Sequence, residues 1–217
     1  MFDSYKTFYL IDSVFIYLLI IMQQILALFD FDGTITKKDS FIEFIKYYKG
    51  LRRFYTGFII LSPFLLLYKA GIIKNWWTKE LVFTCFFKNE PYGNFKKRCK
   101  EFSSNVIPEL INPSALLSIK THIKNGDRVI IVTASFEDTL IDWCKSMQVE
   151  LLGTKILTKN GLVTGKIDGK NCYGFEKVIR LNQYIEISQF SEVYAYGDSH
   201  GDLPMLELAD HKFYRSF

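Results

Sequence analysis

The chain has 217 residues, 49% of them hydrophobic and 17% aromatic, which is enough to bury one full core in an enzyme-sized unit with an insertion. Its 27 Lys and Arg nearly balance 23 Asp and Glu, leaving a net charge of +4, and no nucleic-acid partner is expected. Four cysteines (Cys85, Cys99, Cys144, Cys172) lack Cys-x-x-Cys spacing, which argues against structural zinc and a disulfide framework and agrees with a reducing cytosol.

In chain order, the first 21 residues form an apolar extension that stands apart from the rest. Val14 to Met22 is strongly apolar, but Asp12 interrupts it upstream and Gln23-Gln24 follow at once. Asp3 nearly balances Lys6, so a basic leader region is lacking, and a secretory signal fits this segment least. Two readings stand: a short membrane anchor, or an artefact of start assignment in which Met22 opens a compact protein at its first strand.

Ile25 to Phe29 reads as a buried strand, and it runs out into Asp30-Phe31-Asp32-Gly33-Thr34. Side chains at i and i+2 of extended backbone leave on the same face, so the two carboxylates can work on one bound group. Taken alone, an Asp-x-Asp is as well explained by a solvated turn. From Lys37 to Ile111 the apolar spacing is helical, with few strand signals.

Between Lys37 and Lys100 there are 14 Lys or Arg against 4 Asp or Glu, so the remainder of the chain is acidic. Inside that basic segment the 15 residues from Phe54 to Tyr68 carry no charge, are interrupted by Pro63, and are followed by Trp76-Trp77. Basic flanks around an apolar run with interfacial Trp suit an anionic membrane surface. A packed helical cap with a cationic pocket for a small phosphate ester suits the same composition. As a helix the run spans about 22 Å, against about 30 Å of hydrocarbon. A single crossing would also put Asp30 and Asp198 on opposite sides of the bilayer. The segment is therefore expected to lie on the interface, to dip in as a hairpin kinked at Pro63, or to leave lipid alone.

Asn112-Pro113 reads as an N-cap and first helical turn, with the helix ending near Asn125-Gly126. Arg128 to Val132 is a further apolar strand and delivers Thr133-Ala134-Ser135, where a hydroxyl and free amides can hold a phosphoryl oxygen. Ile156 to Ile167, with Lys159-Asn160-Gly161 in its middle, reads as a hairpin. Lys177 opens an amphipathic helix with Val178, Leu181 and Ile185 inward, which sets it apart from Lys166 and Lys170. Val193 to Tyr196 is the last apolar strand and delivers Gly197-Asp198-Ser199-His200-Gly201-Asp202. His200 is read as a solvated loop side chain. Carboxylates gathered from both acidic loops would repel without a cation, and hard oxygen donors lacking a Cys or His cluster favour Mg²⁺.

The order of these segments, DFDGT, a strand ending in Thr, a Lys and then GDSxxD, resembles the haloacid dehalogenase-like superfamily, and within it the phosphoserine phosphatase-like subfamily. The resemblance runs from about Ile25 to the end. It implies an α/β fold, a Rossmann-like core with a parallel sheet flanked by helices at residues 22–36 and 112–217, and an inserted all-helical cap at 37–111. It implies a Mg²⁺-dependent phosphomonoester hydrolase working through an aspartyl-phosphate, with Asp30 as nucleophile and Asp32 as general acid/base. Gly33, Thr34, Thr133, Ala134 and Lys177 would bind phosphate. Asp30, the Asp32 backbone carbonyl and Asp198 would hold the metal, supported by Ser199 and Asp202.

In relatives of this subfamily a cap Glu and Arg grip a small amino acid ester, and Glu43 with Arg52 or Arg53 are counterparts by rough position. Others act on lipid phosphates such as phosphatidylglycerophosphate, and the apolar, basic cap points that way. The expected setting is cytoplasmic, at the inner face of a membrane. A non-catalytic membrane or protein-binding module is the rival from another class, and intact Asp30, Asp32, Thr133, Lys177 and Asp198 speak against it.

Overall fold

A computed structural model describes residues 24–217. The apolar extension read at residues 1–21 lies outside them. Six strands form one sheet in the order β4-β3-β2-β1-β5-β6. They are β1 (Ile25–Phe29), β2 (Arg128–Phe136), β3 (Glu150–Lys159), β4 (Leu162–Asp168), β5 (Glu192–Gly197) and β6 (His211–Tyr214). All pairings are parallel except β3 with β4.

The central strand β1 is buried on both faces, which is why it reads as an unbroken apolar run rather than an alternating one. Successive side chains feed opposite cores. Leu26 and Leu28 join Ile130, Val132, Leu181 and Met205 on one side, whereas Ala27 and Phe29 join the larger core that extends into the helices following β1.

Those helices are α1 (Ser40–Lys69), α2 (Asn75–Phe87), α3 (Tyr92–Asn105) and the short α4 (Ile107–Leu110). They are inserted between β1 and α5 (Pro113–Asn125), and rings hold them together: Phe44 packs on Phe87, Phe95 and Phe102 at 5.4, 5.6 and 5.1 Å between centroids. Phe83 of α2 lies 4.5 Å from Phe136 at the end of β2, which ties this helical layer to the sheet.

Two local expectations differ from what is observed. Helix α1 continues with helical backbone angles through Pro63; its one non-helical residue is Gly50, at φ +76° and ψ 161°. The proline removes the N–H that would have bonded the Ile59 carbonyl, and the neighbouring Ser62 hydroxyl donates to that carbonyl instead at 2.7 Å. The strand after Arg128 also does not stop at Val132 but continues to Phe136, with its pairing to β3 shifted between those residues. That irregularity frees the backbone of Thr133 to Ser135 while keeping it in the sheet layer.

The remaining helices are α6 (Glu137–Met147), α7 (Phe175–Tyr184) and α8 (Leu203–Leu206). Helix α5 starts where Asn112 accepts from the Ser114 amide at 3.1 Å and ends at Gly126. The β3–β4 hairpin turns on Asn160 and Gly161, both at positive φ, as a two-residue primed turn requires. Only its outer half was legible, because the first residues of β3 pair with β2 rather than with β4.

Candidate active site

Strands β1 and β5 are direct neighbours, with Phe29 level with Tyr196, so the two acidic loops leave the sheet side by side. The Asp30 amide donates to the Tyr196 carbonyl at 2.9 Å, which fixes where the first carboxylate emerges. Ligands bind open parallel sheets at this edge, beyond the strand C-termini.

Lys177, in the first turn of α7, is buried among these carboxylates. Its ammonium donates to Asp30 Oδ1 at 2.5 Å, to Asp202 Oδ1 at 2.6 Å and to the Val132 carbonyl at 2.7 Å. Its two rivals lie elsewhere: Lys166 pairs with Glu80 at 3.1 Å and Lys170 is 3.9 Å from Glu176.

The second oxygen of Asp202 accepts from the amides of Asp198 and Ser199 at 3.2 and 2.9 Å and from the Ser199 hydroxyl at 2.7 Å. Asp202 thus has its lone pairs committed, and it shapes the loop rather than facing outward. Thr34 donates to Asp198 Oδ1 at 3.4 Å. Thr133 is buried, and its hydroxyl oxygen accepts from the Ser135 amide at 3.0 Å, leaving its own proton to donate. The half-buried Asp32 side chain accepts from the Ser40 amide at 2.7 Å and from the Ser135 and Thr36 hydroxyls. His200 is exposed.

Oxygens of Asp30, Asp198 and Asp202 approach within 4.8 Å of one another. Burial pushes Asp30 up to about 7, with Lys177 drawing it down and Asp202 pushing it up. Burial and the Asp202 charge also raise Asp198. Burial alone would raise Asp202 too, but Lys177 and Ser199 outweigh it and hold this carboxyl below its ordinary range. Burial opposes charge on Lys177, yet Asp30 and Asp202 together raise it, so the ammonium stays charged. One lysine shared by two carboxylates leaves Asp30 and Asp198 short of positive charge. A hard divalent cation fits that deficit, with Asp30 and Asp198 as the two side chains free to hold it.

Gly33 explains part of the loop's composition. It adopts φ +83°, and a Cβ there would sit 2.4 Å from Asp198 Oδ2. Gly33 and Thr34 therefore shape the Asp198 side of the site more directly than the cavity itself. Gly33→Ala is expected to displace the Asp198 carboxylate and weaken divalent-cation binding by roughly tenfold, given a left-handed backbone penalty of about 1–2 kcal/mol. Titrating the cation-dependent rise in melting temperature checks this, and an unchanged midpoint would contradict it.

Above the loops lies a cavity of about 370 Å³. Asp30, Asp32, Thr133, Ala134 and Lys177 line its floor, and Phe58, Leu65, Tyr68 and Lys79 from α1 and α2 line its roof. Sequence reasoning missed Lys79. Its ammonium donates to the Ala134 carbonyl and lies 4.5 Å from the Phe136 ring centroid. Burial lowers it to about 8, with Asp32 and Asp39 opposing. Its helical phase, one turn after Asn75, does not by itself say which face of α2 packs on the sheet.

The residues matched to the cap Glu and Arg need correcting. Glu43 pairs with Lys46 at 2.7 Å, and Arg52 and Arg53 are exposed on α1; none of them reaches this cavity. The charged residues from the inserted segment that line it are Asp39 and Lys79 instead.

The sequence pattern of the haloacid dehalogenase-like hydrolases matches residues 27–207. Protein CicA of Caulobacter vibrioides is 33% identical over 201 residues, covering 90% of this chain and 87% of that protein. The histidinol-phosphatase of Neisseria meningitidis is 24% identical over 206 residues, covering 84% and 86%. A substrate-bound phosphoserine phosphatase shares the fold at a TM-score of 0.58 and 18% identity, over 88% of this chain and 86% of its own.

Proposed function

Because the chain belongs to the haloacid dehalogenase-like hydrolases and is a phosphatase of that type, we propose that it cleaves a phosphate monoester through a phosphoryl-enzyme at Asp30. The observation carrying this reading is the buried Asp30–Lys177–Asp202 contact at the floor of a cavity that Asp32 and Thr133 also line.

Asp30 Oδ1 is held by Lys177, and among the described residues its other oxygen has no hydrogen-bond partner, so that oxygen is free to attack phosphorus. Asp30 and Asp198, with the Asp32 carbonyl, would hold Mg²⁺, which when bound neutralises charge on the nucleophile and the phosphoryl group. Lys177 supplies the fixed positive charge, and the Thr133 hydroxyl offers a donor to a phosphoryl oxygen. Burial lifts Asp32 to about 6, with the Asp39 charge adding to the rise. A carboxyl tuned there can protonate the departing alkoxide and then take a proton from the incoming water. Gly33 and Thr34 form the loop beside Asp198, Ala134 lines the cavity from β2, and Ser199 and Asp202 brace the Asp198 turn.

For the leaving group, a lipid phosphate such as phosphatidylglycerophosphate is the reading we favour, with the cap on an anionic membrane surface at the cytoplasmic face. The support lies in α1: Tyr55, Ile59, Ile60, Leu66 and Leu67 are exposed on a stretch with no charge between Arg53 and Lys69. Helix α1 is long and apolar enough to cross a bilayer, but its first turn is buried beside Asp32 and Ser135, which favours interfacial contact.

A small soluble ester is the second reading. Asp39 and Lys79, opposite charges at one cavity, suit a zwitterionic leaving group. Phosphate release from phosphatidylglycerophosphate, phosphatidate, phosphoserine and histidinol phosphate, with and without anionic vesicles, separates the two. Preference for a lipid ester, increased by vesicles, is expected; preference for a soluble ester indifferent to vesicles would contradict the lipid reading.

A further inference from the structure

The phosphoryl cavity shares three wall residues, Asn75, Asn171 and Tyr173, with a second cavity of about 580 Å³. Two helices serve both spaces. On α2, Asn75 and Lys79 stand one turn apart and line the phosphoryl cavity, whereas Trp76 and Glu80, also one turn apart, line the second. On α7, Lys177 points into the first and Phe175 and Ile179 line the second. The two spaces are therefore neighbours that meet at Asn75, Asn171 and Tyr173.

Apart from Lys170 at its edge, the groove is apolar where it is open. Phe175 is 76% exposed and Trp76 48%, unusual for side chains of this size two residues from a catalytic lysine and one turn from the roof lysine. Its two acidic members are engaged with other partners: Glu80 accepts from Lys166 and from the Ile167 amide at 2.9 Å, and Glu176 pairs with Arg180 at 3.2 Å, while the exposed Lys170, 3.9 Å from Glu176, is the one basic residue at its edge. The boundary is polar and fixed. Asn171 is buried, donates to Asn75 Oδ1 at 3.1 Å and accepts from the Thr154 hydroxyl at 3.0 Å. A polar neck could cross at that point, with a hydrocarbon segment beyond it.

We infer that the groove formed by Trp76, Phe175 and Ile179 is a subsite for the apolar tail of the ester's leaving group, entered across the Asn75–Asn171 contact. This inference rests on the phosphomonoesterase reading and names the substrate class: an ester with phosphate at one end, a polar neck and a hydrocarbon tail.

The test is calorimetric binding of ethyl, butyl and octyl phosphate, below their aggregation concentrations, to the Asp30→Asn protein and to the wild-type protein in chelator. Octyl phosphate should bind at least about tenfold more tightly than ethyl phosphate, given the gain per buried methylene. Trp76→Ser with Phe175→Ser should reduce that ratio to within about twofold, whereas Leu117→Ser, at an exposed apolar position on α5, should preserve it. Equal affinities for all three esters, or a chain-length gain that survives the double substitution, would overturn the subsite. So would a wild-type dimer that the double substitution converts to monomers, since the groove would then be a contact between copies. If chain-length-dependent binding is found but wild-type protein releases no phosphate from any ester, the catalytic reading fails and the subsite stands.

Discussion

Asp30→Asn is expected to reduce phosphate release by at least about 10⁴-fold while the protein remains folded. The amide is nearly isosteric but cannot attack phosphorus, and the contact with Lys177 loses its charge. Folding should not suffer, because the native carboxylate is costly where it stands. Burial holds the Asp30 pKa near 7, above its ordinary value of 3.8. A carboxyl whose folded pKa is raised binds its proton more tightly when folded, so stability falls as pH rises from about 3.8 through about 7 in the absence of a divalent cation. The Asn variant escapes that loss, and its melting temperature in chelator at pH 8 should equal or exceed that of the wild type. Retained turnover, or a large drop in melting temperature at that pH, would count against the assignment.

Lys177→Met is expected to damage both stability and rate. It leaves Asp30 and Asp202 buried without their shared cation, and breaking a buried pair in this way costs about 3–5 kcal/mol. For a chain of this size that lowers the melting temperature by roughly 10 °C. The sign with pH follows from the raised lysine: its contribution is present below the unfolded value near 10.5 and is lost only as pH rises through the higher folded one. At neutral pH the full penalty should therefore appear, and saturating Mg²⁺ should restore part of it by supplying charge at Asp30. Turnover should fall by about 10²–10³-fold from the loss of a fixed charge at the phosphoryl site. Melting curves of the variant with and without Mg²⁺ measure the first effect, and an unchanged melting temperature would show that Lys177 does not carry the pair.

Much of the floor of the site was legible in the sequence because its charged residues stand just beyond a strand or open a helix, whereas Thr133 and Ala134 lie within the longer β2. Asp30 and Asp198 stand just beyond apolar runs, and parallel pairing of β1 with β5 brings them together with no other device. Lys177 was legible from its position at the start of an amphipathic helix. The roof was not. Lys79 reaches the Ala134 carbonyl across 55 positions of sequence, and its inward direction depends on how α2 packs through Phe83 on Phe136. Local periodicity contains no such information. The break at Gly50 was missed for a related reason: proline is the stronger helix breaker in general, but Ser62 relieves the carbonyl that Pro63 leaves unpaired, whereas Gly50 sits at a backbone angle that no helix contains.

The central claim is that a phosphoryl group is carried on the Asp30 carboxylate. It is tested most directly by rapid acid quench of turnover with a phosphorus-labelled ester, reduction of the trapped acyl phosphate with borohydride, and peptide mass spectrometry. The mechanism predicts transient label on the protein and homoserine at position 30 after reduction, neither of which forms in Asp30→Asn. Undiminished turnover with no trapped label, or label on another residue, would contradict it.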